Sequence, residues 1–98
     1  MNFEVNDNKI TITKPLVDVE AAFALVNELK NMSEKGTKSI IVDMQNFNSL
    51  PSVVIGKLMV LKQKGIDVKI IVPNELAYTL FEDLGLLNVF DVKLAGNN

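Results

Sequence analysis

The sequence predicts an α/β fold in which helices pack mainly on one face of a mixed sheet. Three observations support this. From Ser39 onward, short β-branched runs alternate with stretches of helical periodicity, in the order strand, helix, strand, helix, strand. Short crossovers of this kind link parallel strands and lie on one face of the sheet. The chain has 98 residues and is 48% hydrophobic, which suits a single modest core. We therefore predict one domain over residues 1–94 and a tail over residues 95–98.

The N-terminal segment FEVNDNKITITKP predicts a β-hairpin. Polar and apolar residues alternate on both sides of the turn sequence NDN, which tolerates the backbone angles of a tight turn. Ile10 and Ile12 are expected to face the core, and Thr11 and Thr13 the other side of the sheet.

A first helix is predicted after Pro15. Asp18 is a good N-cap, Glu20 suits the positive end of the helix dipole, and Gly36 fits just past the C-terminus. Apolar residues recur between these signals at steps of three and four. The stripe expected to face the sheet comprises Val19, Ala22, Phe23, Val26 and Leu29.

The remaining elements follow from similar signals. SIIVDM and VKIIVP predict strands, and their IIV runs lack polar alternation, as expected for central strands buried on both sides. Asn74 is expected to cap the helix after the second strand, Gly85 to end it, and NVFDVKL to form the last strand. The buried face expected for this helix comprises Leu76, Ala77, Leu80, Phe81 and Leu84.

Composition narrows the chemistry. The chain has no histidine, cysteine or arginine, and its net charge is -2. Histidine-dependent catalysis, thiolate chemistry and zinc–thiolate sites are therefore excluded within this chain. The scattered lysines give no nucleic-acid footprint, and no apolar run reaches the ~20 residues that span a bilayer. We predict no catalysis, cofactor, metal, nucleic-acid binding or membrane insertion, and a cytoplasmic location. The acids considered for a metal or catalytic pair are Asp43, Asp67, Glu82, Asp83 and Asp91, which are more typical of solvated surface.

The stretch NSLPSVVIGKL predicts a helix start that could carry a phosphate. Asn48 or Ser49 can cap it, and Pro51 is acceptable in a first turn because its missing N–H has no intrahelical partner. Ser52 then lies in the first turn, where free N–H groups and the helix dipole favour an added phosphate.

The same helix is expected to present an apolar strip outward. If Val54, Ile55, Leu58 and Leu61 face the sheet, two valines look away from it beside an exposed glycine and flanking Met59. Such a strip suits protein docking. The outward-facing residues are Val53, Gly56, Lys57, Val60 and Lys64.

Element order, length and three stretches resemble the STAS domain, the fold of bacterial anti-sigma-factor antagonists and of sulfate-transporter tails. IIVDMQNF is similar to the family's strand ending in valine/leucine-Asp-leucine. LPSVVIGKL falls where the family carries hydrophobic-Asp-Ser-Ser/Thr-Gly-hydrophobic-Gly. VKIIVPNELAYTLFEDLGLLNVFDV is similar to the family's closing strand, helix, GL turn and strand.

The resemblance implies that Ser52 is phosphorylated by a partner kinase that is also an anti-sigma factor, which breaks their complex and so regulates transcription. Ser49 is the weaker candidate. The chain departs from the family pattern: Pro51 replaces the aspartate, Val53 the second serine or threonine, and Val54 the first glycine. The partner-binding residues implied are Asn48, Pro51, Val53, Gly56, Lys57 and Val60.

Two functions stay open. The first is a partner-switching antagonist that binds an anti-sigma factor, a serine kinase or another signalling protein. The second is a non-phosphorylated STAS interaction subunit of a signalling complex or of a membrane lipid transporter. A nucleotide- or lipid-binding module ranks lower because the sequence has neither a glycine-rich phosphate loop nor arginine.

Overall fold

Five strands and three helices follow one another in the predicted order in the computed structural model, which describes residues 1–96. They are β1 (Phe3–Asn6), β2 (Lys9–Ile12), α1 (Val19–Glu34), β3 (Ser39–Asp43), α2 (Ser52–Gln63), β4 (Asp67–Val72), α3 (Glu75–Asp83) and β5 (Asp91–Leu94). The strands lie side by side in chain order; β1 and β2 are antiparallel, and each later pair is parallel. The α/β class and the mixed sheet are confirmed.

The predicted hairpin is present. Strands β1 and β2 pair with Phe3 opposite Ile12, and the turn between them places Asp7 in the left-handed region at φ 57°. Ile10 and Ile12 are fully buried, as expected from the alternation of the segment.

The side-chain caps predicted for α1 and α3 are confirmed. The Asp18 carboxylate accepts a hydrogen bond from the Ala21 N–H at 2.7 Å at the start of α1. The Asn74 side-chain oxygen accepts one from the Ala77 N–H at 3.0 Å at the start of α3. These bonds satisfy N–H groups that the helices cannot satisfy themselves. Gly36, at φ 83°, follows Lys35, the C-cap of α1, and so lies just past the helix end as predicted.

The prediction that the central strands are buried on both sides is wrong. Ile40, Val42, Ile70 and Val72 are fully buried, whereas Ile41 and Ile71 are only half-buried. The strands follow chain order across the sheet, so that successive crossovers place their helices on the same side. One face of the sheet is therefore packed against the helices, and the other, which we call the open sheet face, is not covered.

The predicted buried stripe of α1 is partly wrong. Ala22 and Leu29 are buried, but Val19 is 70% exposed and Phe23 is 49% exposed. The residues that α1 packs against the sheet are Ala21, Ala22, Leu25, Leu29 and Met32. Two neighbouring apolar rows run along this helix, and only one of them can face the sheet.

The predicted buried face of α3 is also partly wrong. Ala77 and Phe81 are buried, whereas Leu76, Leu80 and Leu84 are 61%, 40% and 63% exposed. The three leucines recur every four residues and form a row beside the buried one. A helix of nine residues packs its smaller apolar row on the sheet and leaves the larger one outside.

The chain ends in a shorter strand than predicted. Residues 87–89 form a turn, Phe90 lies in a bend, and pairing with β4 begins only at Asp91. The Ala95 N–H donates to the Val72 carbonyl at 2.8 Å, so the predicted tail begins with a residue attached to the sheet. Residues 97–98 lie outside the described residues. Within residues 1–96, no helix is long and apolar enough to cross a membrane.

Candidate functional site: helix α2 and its two grooves

The loop before α2 is held by side-chain hydrogen bonds. The Asp43 carboxylate accepts from the Gln45 N–H at 3.0 Å, where Gln45 turns the chain at φ 57°. The Asn48 side-chain oxygen accepts from the Asn74 Nδ2 at 2.9 Å. Asn74 thus caps α3 and also ties that cap to the loop leading into α2.

The predicted cap of α2 is wrong. Pro51 occupies the N-cap position, and within residues 1–96 no side chain accepts a capping hydrogen bond there. Asn48 is engaged with Asn74 instead, and Ser49 is exposed three residues before the helix. Proline already has the extended conformation that an N-cap requires, at φ -58° and ψ 146°.

Ser52 is the first residue of α2 and is exposed. The Pro51 carbonyl accepts from the N–H groups of Val54 and Ile55 at 3.0 and 3.1 Å. The N–H groups of Ser52 and Val53 precede the first intrahelical bond and have no acceptor within the helix. The predicted position of Ser52 in the first turn is therefore confirmed, together with the free donors around it.

Helix α2 presents apolar residues outward, as predicted. Val54, Leu58 and Leu61 are fully buried, whereas Val53 is 38% exposed and Val60 is 42% exposed. Their role in binding stays a prediction, but the surface that such binding needs is present.

Gly56 is exposed on the side of α2 that faces away from the sheet. A methyl group added to its Cα would meet no atom within 4 Å, apart from the neighbouring turns of its own helix, among the described residues. Nothing inside the fold therefore requires a glycine here, although glycine destabilises a helix interior.

An apolar groove separates the start of α2 from the start of α1. We call it the α1–α2 groove, and its volume is about 260 Å³. It is lined by Leu16, Val17, Asp18, Val19, Ala22, Phe23, Pro51, Ser52 and Val53. The residues of α1 that the sequence assigned to the core, Val19 and Phe23, thus form one wall of this groove.

A second groove, the α2–α3 groove, lies on the other side of the helix. It consists of two adjoining cavities of about 310 and 120 Å³ that share Ile55 and Leu84. Its other lining residues are Asn48, Ser49, Leu50, Ser52, Gly56, Met59, Leu80, Phe81 and Leu86. Ile55, expected to face the sheet, is half-buried and forms part of this lining.

Ser52 lines both grooves. Gly56 follows it by one helical turn, so two small residues form the crest between the grooves. A partner could therefore lie across α2 and reach apolar walls on either side of the serine.

The segment that contains α2 is positively charged, whereas Asp18 contributes a carboxylate to the wall of the α1–α2 groove. Residues 44–66 contain no acidic residue and three lysines, and the first turn of α2 has no acid. Lys62 is 3.5 Å from the Asp67 carboxylate, whereas Lys57 is half-buried on the side that faces α1. The site offers an uncharged hydroxyl, free N–H groups and apolar walls, an arrangement that suits protein binding and acceptance of a phosphate.

Sequence reasoning missed the walls of both grooves. A helical apolar period includes Val19, Phe23, Leu80 and Leu84 and predicts burial in the core, whereas all four side chains are exposed. One signal could have indicated otherwise: both helices contain more apolar residues than a single stripe accommodates.

Comparison with known proteins gives information on the fold. No protein-family model and no curated protein sequence matches the chain. A solved structure described as the NMR structure of the protein TM1081 is similar in fold, with a TM-score of 0.67 and 16% sequence identity. The match covers 92% of this chain and 77% of that chain. At this identity the likeness shows a shared α/β fold.

Proposed function

We propose that the chain is a STAS-type interaction module of the anti-sigma-factor antagonist kind. In this proposal it binds a partner that is a serine kinase and anti-sigma factor, and phosphorylation of Ser52 releases that partner. The observation that carries the proposal is the position of Ser52: exposed, first in α2, and lining both apolar grooves.

The unphosphorylated form offers the partner an apolar surface. Val53 and Val60 on one side of α2, and Leu80 and Leu84 across the second groove, are exposed without a partner. Burial of such side chains contributes about 25 cal/mol per Å² of apolar area, less the cost of association. Gly56 leaves room for the partner's backbone to approach the crest.

Phosphorylation would oppose that binding. The kinase would transfer the γ-phosphoryl group of ATP to the Ser52 hydroxyl oxygen; the new P–O bond forms as the bond to ADP breaks, and the hydroxyl proton leaves. The product carries a charge of about -1.5 to -2. The start of α2 would stabilise it by about 1 kcal/mol through free N–H groups and the helix dipole. Enclosing the same charge in an apolar interface costs several kcal/mol, so the complex breaks.

Substitution of Ser52 tests the switch. We expect Ser52→Asp to lose the partner captured from native extract, and Ser52→Ala to keep it, because only aspartate adds a charge. Ser49→Asp tests the weaker candidate serine, and Asn6→Asp, exposed on the sheet face opposite the helices, controls for net charge. Phosphopeptide analysis of residues 46–57 should find the phosphate on Ser52.

A second candidate is a constitutive interaction subunit of a signalling complex or of a membrane lipid transporter. Pro51 at the N-cap and the absence of an acid in the first turn of α2 favour it, since the family pattern places an aspartate there. Equal partner binding by the Asp and Ala variants of Ser52 would support this candidate and contradict the switch. A neighbouring gene for a histidine-kinase-like ATPase would favour the switch, and a transporter operon the constitutive subunit.

A further inference from the structure

Helices α1 and α2 carry rows of side chains with the same spacing. On α1 the row is Val19, Phe23, Val26 and Lys30; on α2 and its C-cap residue it is Val53, Lys57, Val60 and Lys64. Both follow steps of four, three and four, which keep the side chains along one side of a helix. Each row begins with an apolar residue and ends with a lysine.

The two rows face one another. Val19, Phe23 and Val53 line the same groove, which fixes the side of each helix on which its row lies. Both helices follow strands that are parallel in the sheet, so they begin at the same sheet edge and run in the same direction. Lys30 and Lys64 therefore both lie toward the C-terminal end of the helix pair, about 17 Å along each helix from Val19 and Val53.

Three of the ten lysines form ion pairs among the described residues, and none of the three belongs to the two rows. Lys9, Lys62 and Lys93 each have a carboxylate within 4 Å. Over the described part of the chain, no ion pair involves the lysines of the two rows, which are Lys30, Lys57 and Lys64. Their charge is therefore available to a binding partner.

We propose that the α1–α2 groove binds an amphipathic helix of a partner protein whose apolar stripe is followed by acidic residues. The proposal rests on the proposed function and specifies the chemistry of its partner. An amphipathic helix is recognised through anchors at the same three- and four-residue spacing. Its leucine-like side chains occupy the apolar end beside Pro51 and Val53, and its carboxylates lie over the lysines, where charge complementarity fixes the orientation.

An anionic membrane also attracts apolar and basic residues together. The groove favours a helix because it is a depression between two helices, and the terminal lysines of the two rows, Lys30 and Lys64, lie beyond its lining residues. A membrane-binding surface would instead expose its apolar residues on a convex face with lysines on both sides.

The test uses the full chain and a synthetic helical peptide of about 18 residues, or five turns. The peptide carries leucines at helical spacing in its first three turns and glutamates in the last two; a matched peptide carries lysines in place of the glutamates. Amide resonances of the chain are followed by NMR during titration. We expect saturable shifts centred on Phe23, Val53 and Val60 with the acidic peptide, and weaker binding of the basic one.

Charge reversal makes the test specific. The double variant Lys30→Glu and Lys64→Glu should bind the acidic peptide about tenfold more weakly and should prefer the basic peptide. Lys69→Glu with Lys93→Glu, on the open sheet face, changes net charge equally and should alter affinity less than about twofold. Melting temperatures of both variants establish that they fold.

Three results would overturn the proposal: no saturable shift, affinity unchanged by the reversal at Lys30 and Lys64, or binding to phosphatidylglycerol vesicles but not to the peptide. Failure here is distinguishable from failure of the proposed function. If Ser52→Asp and Ser52→Ala retain the natural partner equally while the peptide binds as expected, the switch is wrong and the groove assignment stands. If Ser52→Asp loses the natural partner and Ser52→Ala keeps it, while the peptide does not bind, the groove assignment is wrong and the switch stands.

Discussion

The two faces of this molecule are built from different residues. The outer surface of the helix layer exposes Val and Phe side chains on α1 and α2 and a leucine row on α3. The open sheet face alternates in charge and carries two ion pairs, Lys9–Asp43 at 3.6 Å and Lys93–Asp91 at 3.5 Å. Its residues are Glu4, Asn6, Lys9, Thr11, Ser39, Ile41, Asp43, Asp67, Lys69, Ile71, Asp91 and Lys93.

This difference indicates which face is adapted to water. A sheet face without helices would usually expose apolar residues that need covering. On the open sheet face, however, opposite charges compensate one another and surround only two half-buried isoleucines. The helix layer, already packed against the sheet on its inner side, keeps apolar rows on its outer side as well. Contiguous exposed apolar patches on a folded protein mark interaction sites. The predictions below test this contrast, starting with the largest effect.

Adjacent isoleucines in β4 give the largest expected effect. Ile70→Ala should lower the free energy of unfolding by about 2–5 kcal/mol, because Ile70 is fully buried under the helices. Ile71→Ala, the same change on the open sheet face, should cost about 1 kcal/mol or less. Urea denaturation of both variants measures the difference. Equal losses would mean that the open face is covered, for example by a second copy of the chain.

The double role of Asn74 gives the next effect. Asn74→Ala should lower stability by about 1 kcal/mol through loss of the α3 cap. Asn74→Ser should keep the cap but lose the hydrogen bond to Asn48, at a cost below about 0.5 kcal/mol. Urea midpoints give the stabilities, and hydrogen exchange should then be faster in residues 46–50 of the Ser variant. Unchanged exchange there would mean that the Asn48–Asn74 bond does not hold the loop.

Substitution of Gly56 should change stability and partner binding in opposite directions. Gly56→Ala should raise the free energy of unfolding by about 0.5–1 kcal/mol, since alanine is the better helix former and the added methyl group meets open space. The same variant should bind the partner more weakly than the wild type.

The matched control is Gly65→Ala. Gly65 has φ 93°, so that change should lower stability by about 1 kcal/mol. If Gly56→Ala binds the partner as well as the wild type, the crest of α2 is not at the interface.

The ion pairs of the open sheet face should give the smallest effect. Lys93→Ala removes the pair with Asp91, in which both side chains are more than half exposed, and should cost less than about 0.5 kcal/mol. High salt should reduce even that difference, as measured by thermal unfolding at two ionic strengths. A loss larger than 1 kcal/mol would indicate that this face is less solvated than the contrast implies.

Local chemistry could be predicted well from the sequence. Asp18 and Asn74 cap their helices as predicted because the capping hydrogen bond joins residues only three apart. The hairpin at Asp7 and the helix end at Gly36 likewise depend on residues within one turn.

Packing choices could not be predicted in the same way. The rows Leu76–Leu80–Leu84 and Ala77–Phe81 fit the helical period equally well, and the choice between them depends on the neighbouring strands. The same holds for Ile71. The sequence of its strand predicts burial on both faces of the sheet, but no element covers the face on which Ile71 lies. At α2, capping by Asn48 was predicted, but its side chain is taken by Asn74, 26 residues away. The apolar surface beside Ser52 was therefore only partly visible in the sequence.

The order of the strands has a consequence for how the chain acquires its structure. Each strand pairs with the one that precedes it in the sequence, so every crossover closes a loop of fewer than 40 residues. Loop closure of this length is entropically cheap, and no pairing waits for a distant segment. During synthesis on the ribosome, the sheet can grow strand by strand from the hairpin, as each newly emerged segment docks on the last.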